Sequence, residues 1–223
     1  LVCVMQANNE TGVLQPIGEI ANVLAEHPAF FLVDAAQGFG KEIESLQNRR
    51  IDLVSISGHK IHAPQGVGAL ISRKRNGQRP PLNPIMFGGG QERGLRPGTL
   101  PVHLIVGLGL AAELAAGEVG QRIEVNRAFR ERALAALTPL SPVMTGDAAR
   151  ALPHILNVTV PGVDAEAAME ALAEVITISN GSAYTSGQEV CSNVLSAMGF
   201  NERGEEGALR LSWCHMTPEP DWS

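Results

Sequence analysis

Three short apolar runs, Leu1-Val2-Cys3-Val4-Met5, Phe30-Phe31-Leu32-Val33 and Ile51 to Ile56, are each followed within a few residues by polar or small residues. Continuous apolar runs of this length, rather than alternating ones, are the mark of parallel strands buried on both faces. Parallel neighbours require a crossover. Residues 16 to 27 supply one, since Ile17, Ile20, Ala21, Val23 and Leu24 recur at helical spacing ahead of His27-Pro28. Val67 to Ser72 adds a fourth strand, and the first third of the chain reads as α/β.

The remainder changes character. Gly88-Gly89-Gly90-Gln91-Glu92-Arg93-Gly94 and Arg96-Pro97-Gly98-Thr99 form a long glycine-rich loop that leads into an apolar helix from Pro101. Loops of such length usually serve a function. Glu118 to Leu137 reads as a charged amphipathic helix, Leu152 to Val160 as a strand, Ala165 to Val175 as a helix and Leu209 to Trp213 as a last strand. A domain boundary is expected near 118–120, dividing residues 1–119 from a smaller α+β domain, 120–223, that is incomplete at its end. The polar stretch Ser179 to Glu189 reads as a loop.

With 24 glycines and 14 prolines the chain suits many short connections rather than a helical bundle. Its formal charge of −6 makes an electrostatic nucleic-acid footprint an unlikely design, and no direct nucleic-acid partner is expected. Cys3, Cys191 and Cys214 are far apart with no CxxC pair, so no metal site is expected and the setting is read as reducing and cytoplasmic. The longest apolar run, Val102 to Ala116, falls short of the ~20 residues of a membrane span, so no membrane partner is expected. Leu1 to Met5 lacks the basic flank of a signal peptide and looks like a strand interior. The sequence is therefore expected to lack the protein's true beginning.

In open α/β sheets ligands collect at the carboxyl ends of strands. Asp34 ends the second run and Gln37 follows it one turn later. Lys60 lies beyond the third run in Ser57-Gly58-His59-Lys60-Ile61-His62, a stretch with almost no other charge. A lone Asp is commonly a turn former, and a lone Lys a solvated charge. Together at adjacent strand ends they match what pyridoxal phosphate requires: a carboxylate to keep the pyridine nitrogen protonated and an amine to form a Schiff base. Ser57 and His59 add donors suited to a phosphate.

Asn8-Asn9-Glu10-Thr11-Gly12, Val33-Asp34-Ala35-Ala36-Gln37, Ser57-Gly58-His59-Lys60, Gly88 to Gly94, Arg96-Pro97-Gly98-Thr99-Leu100-Pro101 and Ile155-Leu156-Asn157-Val158 resemble, in order, the successive motifs of the cysteine desulfurases. These belong to the aminotransferase class V group of fold-type I pyridoxal-phosphate-dependent transferases. The resemblance covers essentially the whole chain. It implies a mostly parallel sheet in a large cofactor-binding domain, with a smaller α+β carboxy-terminal domain, in a cytoplasmic homodimer. It implies further that Lys60 holds the cofactor, that Asp34 pairs with the pyridine nitrogen, and that Asn9 and Gln37 sit near the ring. Ser57 and His59 would hold the phosphate, with Thr99 reaching it in the partner subunit, and Arg210 would clamp the substrate carboxylate. The implied substrate is L-cysteine, converted to alanine and an enzyme persulfide for a sulfur-acceptor protein in iron–sulfur assembly or DNA or RNA thio-modification. The tail Leu209 to His215 resembles desulfurases associated with DNA phosphorothioation.

Two departures stand against the pattern. The family's amino-terminal part has no counterpart here, and Tyr184, in Ser179 to Ser186, occupies the position of the sulfur-accepting cysteine. A phenol does not carry a persulfide. Cys191 follows seven residues later and is read as a small residue near the start of a helix, while Cys3, Cys214 and the apolar stripe from Leu104 to Leu114 are expected in the core. The alternatives are another class V pyridoxal-phosphate lyase or aminotransferase, and a truncated paralogue acting as a scaffold.

Overall fold

The computed structural model describes residues 1–174, 176–179, 192–200 and 207–222. It divides into two compact units, residues 1–6 with 15–119, and residues 7–14 with 120–223.

The first unit is built on a four-stranded sheet in the order β1 (Val2–Met5), β2 (Phe31–Asp34), β3 (Leu53–Ser57), β4 (Gly68–Ser72). The first three strands are parallel and β4 is antiparallel to β3. Helix α1 (Ile17–Val23) makes the β1–β2 crossover and lays Ile17 and Ala21 on Phe31, Val33, Ile51 and Val54, all buried. It is shorter than the helical spacing suggested. The carbonyl of Leu24, just past its end, is taken by Arg50 Nε at 2.7 Å, and the carbonyls of His27 and Ala29 by Arg50 Nη2. That guanidinium turns the chain before Pro28.

Arg50 is itself held by a buried carboxylate. Asp52 accepts from the Phe31 amide and from Arg50 Nη1, both at 2.8 Å, and faces Arg75 Nε at 3.3 Å. Strand β1 departs from the two-sided burial expected of it: Val2 and Val4 pack on the core whereas Cys3 and Met5 are exposed. The cluster under α1 covers one face, and Cys3 lies on the other, not in the core.

Helix α2 (Val102–Leu137) is a single run of 36 residues where the sequence suggested two segments. Gly117 and Gly120 are carried within it, since nothing stands within 4 Å of either. By length and composition α2 is sufficient to cross a membrane, because the helix continues past the apolar run that ends at Ala116. In the first unit Ala111 packs with Ile61 and Ala63, and in the second Phe129 and Ala133 enter the main core. The stripe expected to be core is largely open: Ile105, Val106, Leu110 and Leu114 are exposed.

The second unit is centred on the antiparallel sheet β5 (Val143–Met144), β6 (Ile155–Thr159), β7 (Ala208–Ser212). Leu156, Val158, Leu209 and Trp213 form its core with α2, and α3 (Ala165–Leu172) adds Ala165. Side-chain caps start α3 at Asp164 and α4 (Asn193–Ala197) at Ser192. Residues 7–14 pack here rather than with the sheet they follow. Gly12 lies at φ +76°, where a Cβ would stand 3.1 Å from Ile155 Cβ, and its carbonyl accepts from the Leu152 amide. Cys214, expected inside a strand, lies beyond β7 in a half-buried turn, with its amide donating to Thr217 Oγ1.

Candidate active site

The three parallel strands of the first unit end side by side, with Met5 opposite Asp34 and Asp34 opposite Ser55. Asp34 is exposed at this edge. Its Oδ1 accepts from the Ala36 amide and from Ser55 Oγ, both at 3.0 Å, and its Oδ2 carries no hydrogen bond among the described residues. One oxygen orients the carboxylate and the other is left for a donor.

Lys60 sits beyond the same edge, half-buried in the 3-10 turn Gly58–Ile61 that leaves β3. The turn is clamped to the start of β4. The Gly58 amide donates to Val67 O at 2.9 Å, and a Cβ on Gly58 would stand 2.7 Å from that oxygen. His62 then reverses the chain at φ 68°. Ser57 Oγ and His59 Nδ1 lie 3.1 Å apart, so the two residues suited to a phosphate are neighbours in space as in sequence.

Gln37 follows Asp34 in a turn whose backbone is fixed from below. The fully buried Gln6, one residue past β1, donates from its amide to Asp34 O and from Nε2 to Glu42 O, Glu42 Oε2 and Ser45 Oγ. Gly38 is required beside it, since a Cβ there would lie 2.1 Å from Gln6 Oε1. The sequence reading missed Gln6, Glu42 and Ser45. Only the glycine at 38 signals a close approach to Gln6. Thr99 is exposed, in the loop where Glu92 and Arg93 adopt positive φ.

The remaining candidates belong to the second unit. Asn9 lies in the turn 8–12, where Asn8 Oδ1 accepts from the Glu10 and Thr11 amides at 2.9 and 3.0 Å. Arg210, on β7, donates from Nη1 to Asn9 O at 3.3 Å. Glu10, also missed from sequence, is buried and accepts from Ser192 Oγ, and its carbonyl accepts from Asn157 Nδ2 at 3.3 Å. Tyr184 and Cys191 lie outside the described residues.

The set therefore falls into two groups: Asp34, Gln37, Ser57, His59 and Lys60 about one sheet edge, and Asn9 with Arg210 about the turn 8–12. The first offers a carboxylate, an amine and two phosphate-type donors, which fits a cofactor with a protonated ring nitrogen, an aldehyde and a phosphate. The second offers a guanidinium, which fits a carboxylate.

Comparison with known proteins gives this chemistry a family. A family model described as aminotransferase class-V matches residues 1–221. The "Cysteine desulfurase IscS" of Rickettsia bellii is 42% identical over 223 residues, covering 99% of this chain and 54% of the relative. The chain thus spans about half the length of the curated relatives it matches. Among solved structures, DndA from Streptomyces lividans is 45% identical with a TM-score of 0.83, over 96% of this chain and 60% of that one. A structure titled "SspA in complex with cysteine" is 34% identical with a TM-score of 0.72, over 94% and 57%. On a family match that spans nearly its whole length, the chain belongs to the aminotransferase class-V family, whose neighbouring structures share its α/β fold.

Proposed function

We propose that the full-length protein is a pyridoxal-phosphate-dependent cysteine desulfurase homologue acting as a cytoplasmic homodimer. The observation that carries this reading is the pairing, at one sheet edge, of an Asp34 carboxylate with one oxygen already anchored and Lys60 in a turn clamped by Gly58. The names of the relatives and the cysteine bound in a neighbouring structure support L-cysteine as substrate.

In this reading Lys60 Nζ anchors the cofactor and later carries the proton taken from the substrate α-carbon. Asp34 keeps the pyridine nitrogen protonated, and the Ser55 hydroxyl holds that carboxylate in place. Gln37 and Asn9 would be the residues near the ring, while Ser57, His59 and the partner subunit's Thr99 would hold the phosphate. Arg210 binds the substrate carboxylate through its planar fork. Pyridoxal phosphate, when bound, supplies the electron sink that labilises bonds at the substrate α-carbon. The product sulfur is destined for a sulfur-acceptor protein, in iron–sulfur assembly or in nucleic-acid thio-modification.

Tyr184 decides whether this chain completes the reaction. Sulfur transfer requires a nucleophile that is substantially ionised near neutral pH and can hold a second sulfur, and a phenol with an ordinary pKa near ~10 meets neither condition. That substitution favours a second reading, a paralogue that binds cofactor and partner without turnover. The two readings separate on the full-length protein. Tyr184→Cys is expected to release sulfide from L-cysteine in the presence of a thiol, the Tyr184 form to release little, and Cys191→Ser to change neither. Robust turnover by the Tyr184 form that vanishes with Cys191→Ser would contradict this and make Cys191 the sulfur carrier.

A further inference from the structure

Arg210 does not stand alone on its sheet. Antiparallel register places it opposite Asn157 on β6 and opposite Ser179 on the other side, while the Thr145 amide donates to Asn157 O at 3.0 Å just past β5. Thr145, Asn157, Arg210 and Ser179 therefore form one row across the second unit, and directly opposed residues share a face. Asn157 is 1% exposed and Thr145 4%. Asn157 Oδ1, Thr145 Oγ1 and Ser179 Oγ are buried and have no hydrogen-bond partner among the described residues.

Leaving such groups unmatched costs stability, and each instance calls for an explanation. Leu156 and Val158, on either side of Asn157, point into the apolar core, which by strand alternation puts Asn157 on the opposite face with Thr145 and Arg210. The one hydrogen bond that the Asn157 side chain makes among the described residues supplies the explanation. Its Nδ2 donates to the carbonyl of Glu10, the residue after Asn9, and the Asn9 carbonyl is where Arg210 Nη1 donates. Ser192 Oγ ties the Glu10 carboxylate to the start of α4, so the turn is held from two sides.

We propose that Asn157 is a positioning residue for amino-acid carboxylate recognition: it pins the turn 8–12 against the sheet so that the Asn9 carbonyl orients the Arg210 guanidinium. The assignment rests on the functional reading above, in which Arg210 receives the α-carboxylate. Three buried oxygens left without hydrogen-bond partners in the row that holds Arg210 are a local cost that a functional role accounts for.

The test uses full-length protein loaded with pyridoxal phosphate and the Asn157→Leu variant. Melting temperature is measured on cofactor-free protein, and the apparent Kd of L-alanine from the change it causes in the visible cofactor band, which needs no sulfur acceptor. Asn157→Leu is expected to raise the Kd for L-alanine at least fivefold, with the cofactor's own Kd changed less. An unchanged Kd for L-alanine, or a cofactor Kd that rises as much, would overturn the assignment. Should the leucine variant not fold, Asn157→Asp keeps the side-chain volume and sets a carboxylate beside Arg210. It is expected to weaken L-alanine at least tenfold, and wild-type affinity would overturn the proposal. A wild-type protein that takes up no cofactor would count against the site reading and this assignment together, whereas a normal wild type with an unaffected leucine variant counts against Asn157 alone.

Discussion

At the scale of single residues, the molecule separates groups that hold the sheet from groups that face the site. Asp52 lies at the edge opposite Asp34 and holds Arg50, with side-chain exposures of 2% and 9%. Asp52→Ala would leave that guanidinium buried without its counter-charge, and breaking such a pair costs ~3–5 kcal/mol. Urea denaturation is expected to show a loss of that size, and a change below ~1 kcal/mol would mean that the arginines find other partners. Gly38→Ala would drive a methyl group into Gln6, whose side chain is fixed by three hydrogen bonds. A cost of ~1–3 kcal/mol is expected from overpacking of this kind, together with weaker cofactor uptake because the turn bearing Gln37 shifts. Asp34 and Lys60 were legible in the sequence because each follows an apolar run where an α/β sheet exposes its ligand edge. Gln6, Glu10 and Asn157 were not, since a polar residue beside a strand gives no sign of its partners, which here are 36, 182 and 147 residues away.

At the scale of elements, strand identity was easier to read than exposure. All four strands of the first sheet coincide with apolar runs to within two residues, because a short apolar run bounded by polar and small residues is the pattern of a buried strand. Apolar composition, however, does not say whether a face is covered, and so Cys3 and the α2 stripe were misread as core. The segment after β7 shows how a weak contact organises an element. Arg132 binds Glu219 through both carboxylate oxygens, Trp222 Nε1 donates to Glu219 Oε2 at 2.8 Å, and Trp222 meets the Phe129 ring edge-on at 5.3 Å. The hydrogen bond from Arg132 holds the Glu219 carboxyl below its ordinary pKa, with Trp222 adding to the effect. A depressed carboxyl stabilises the strap fully above its unfolded pKa near ~4.3, and that contribution is lost as pH falls through the lower folded value. Trp222 emission is thus expected to report strap release on acidification below ~pH 4, and Glu219→Gln to show the same emission at pH 7. An unchanged spectrum in that variant would mean the ring contact alone holds the strap.

At the scale of the whole molecule, the chain carries two compact units and spans about half the length of its curated relatives. The contact division falls within α2, after Val119. The capture of residues 7–14 by the second unit was invisible, because it depends on Ile155 and Leu152 more than a hundred residues away. The proposed homodimer can be tested at Thr99, which is exposed in its glycine-rich loop. Mixing a Lys60 variant with a Thr99 variant, both full-length and exchanging subunits, is expected to restore cofactor binding that neither shows alone, and no recovery would argue against a site shared between subunits. Whether Lys60 and Asp34 hold pyridoxal phosphate is decided by reducing the cofactor-loaded full-length protein with borohydride and mapping the labelled peptide. Loss of the visible band and a pyridoxyl group on Lys60 are expected, and a label on any other lysine, or no uptake of cofactor at all, would rule the assignment out.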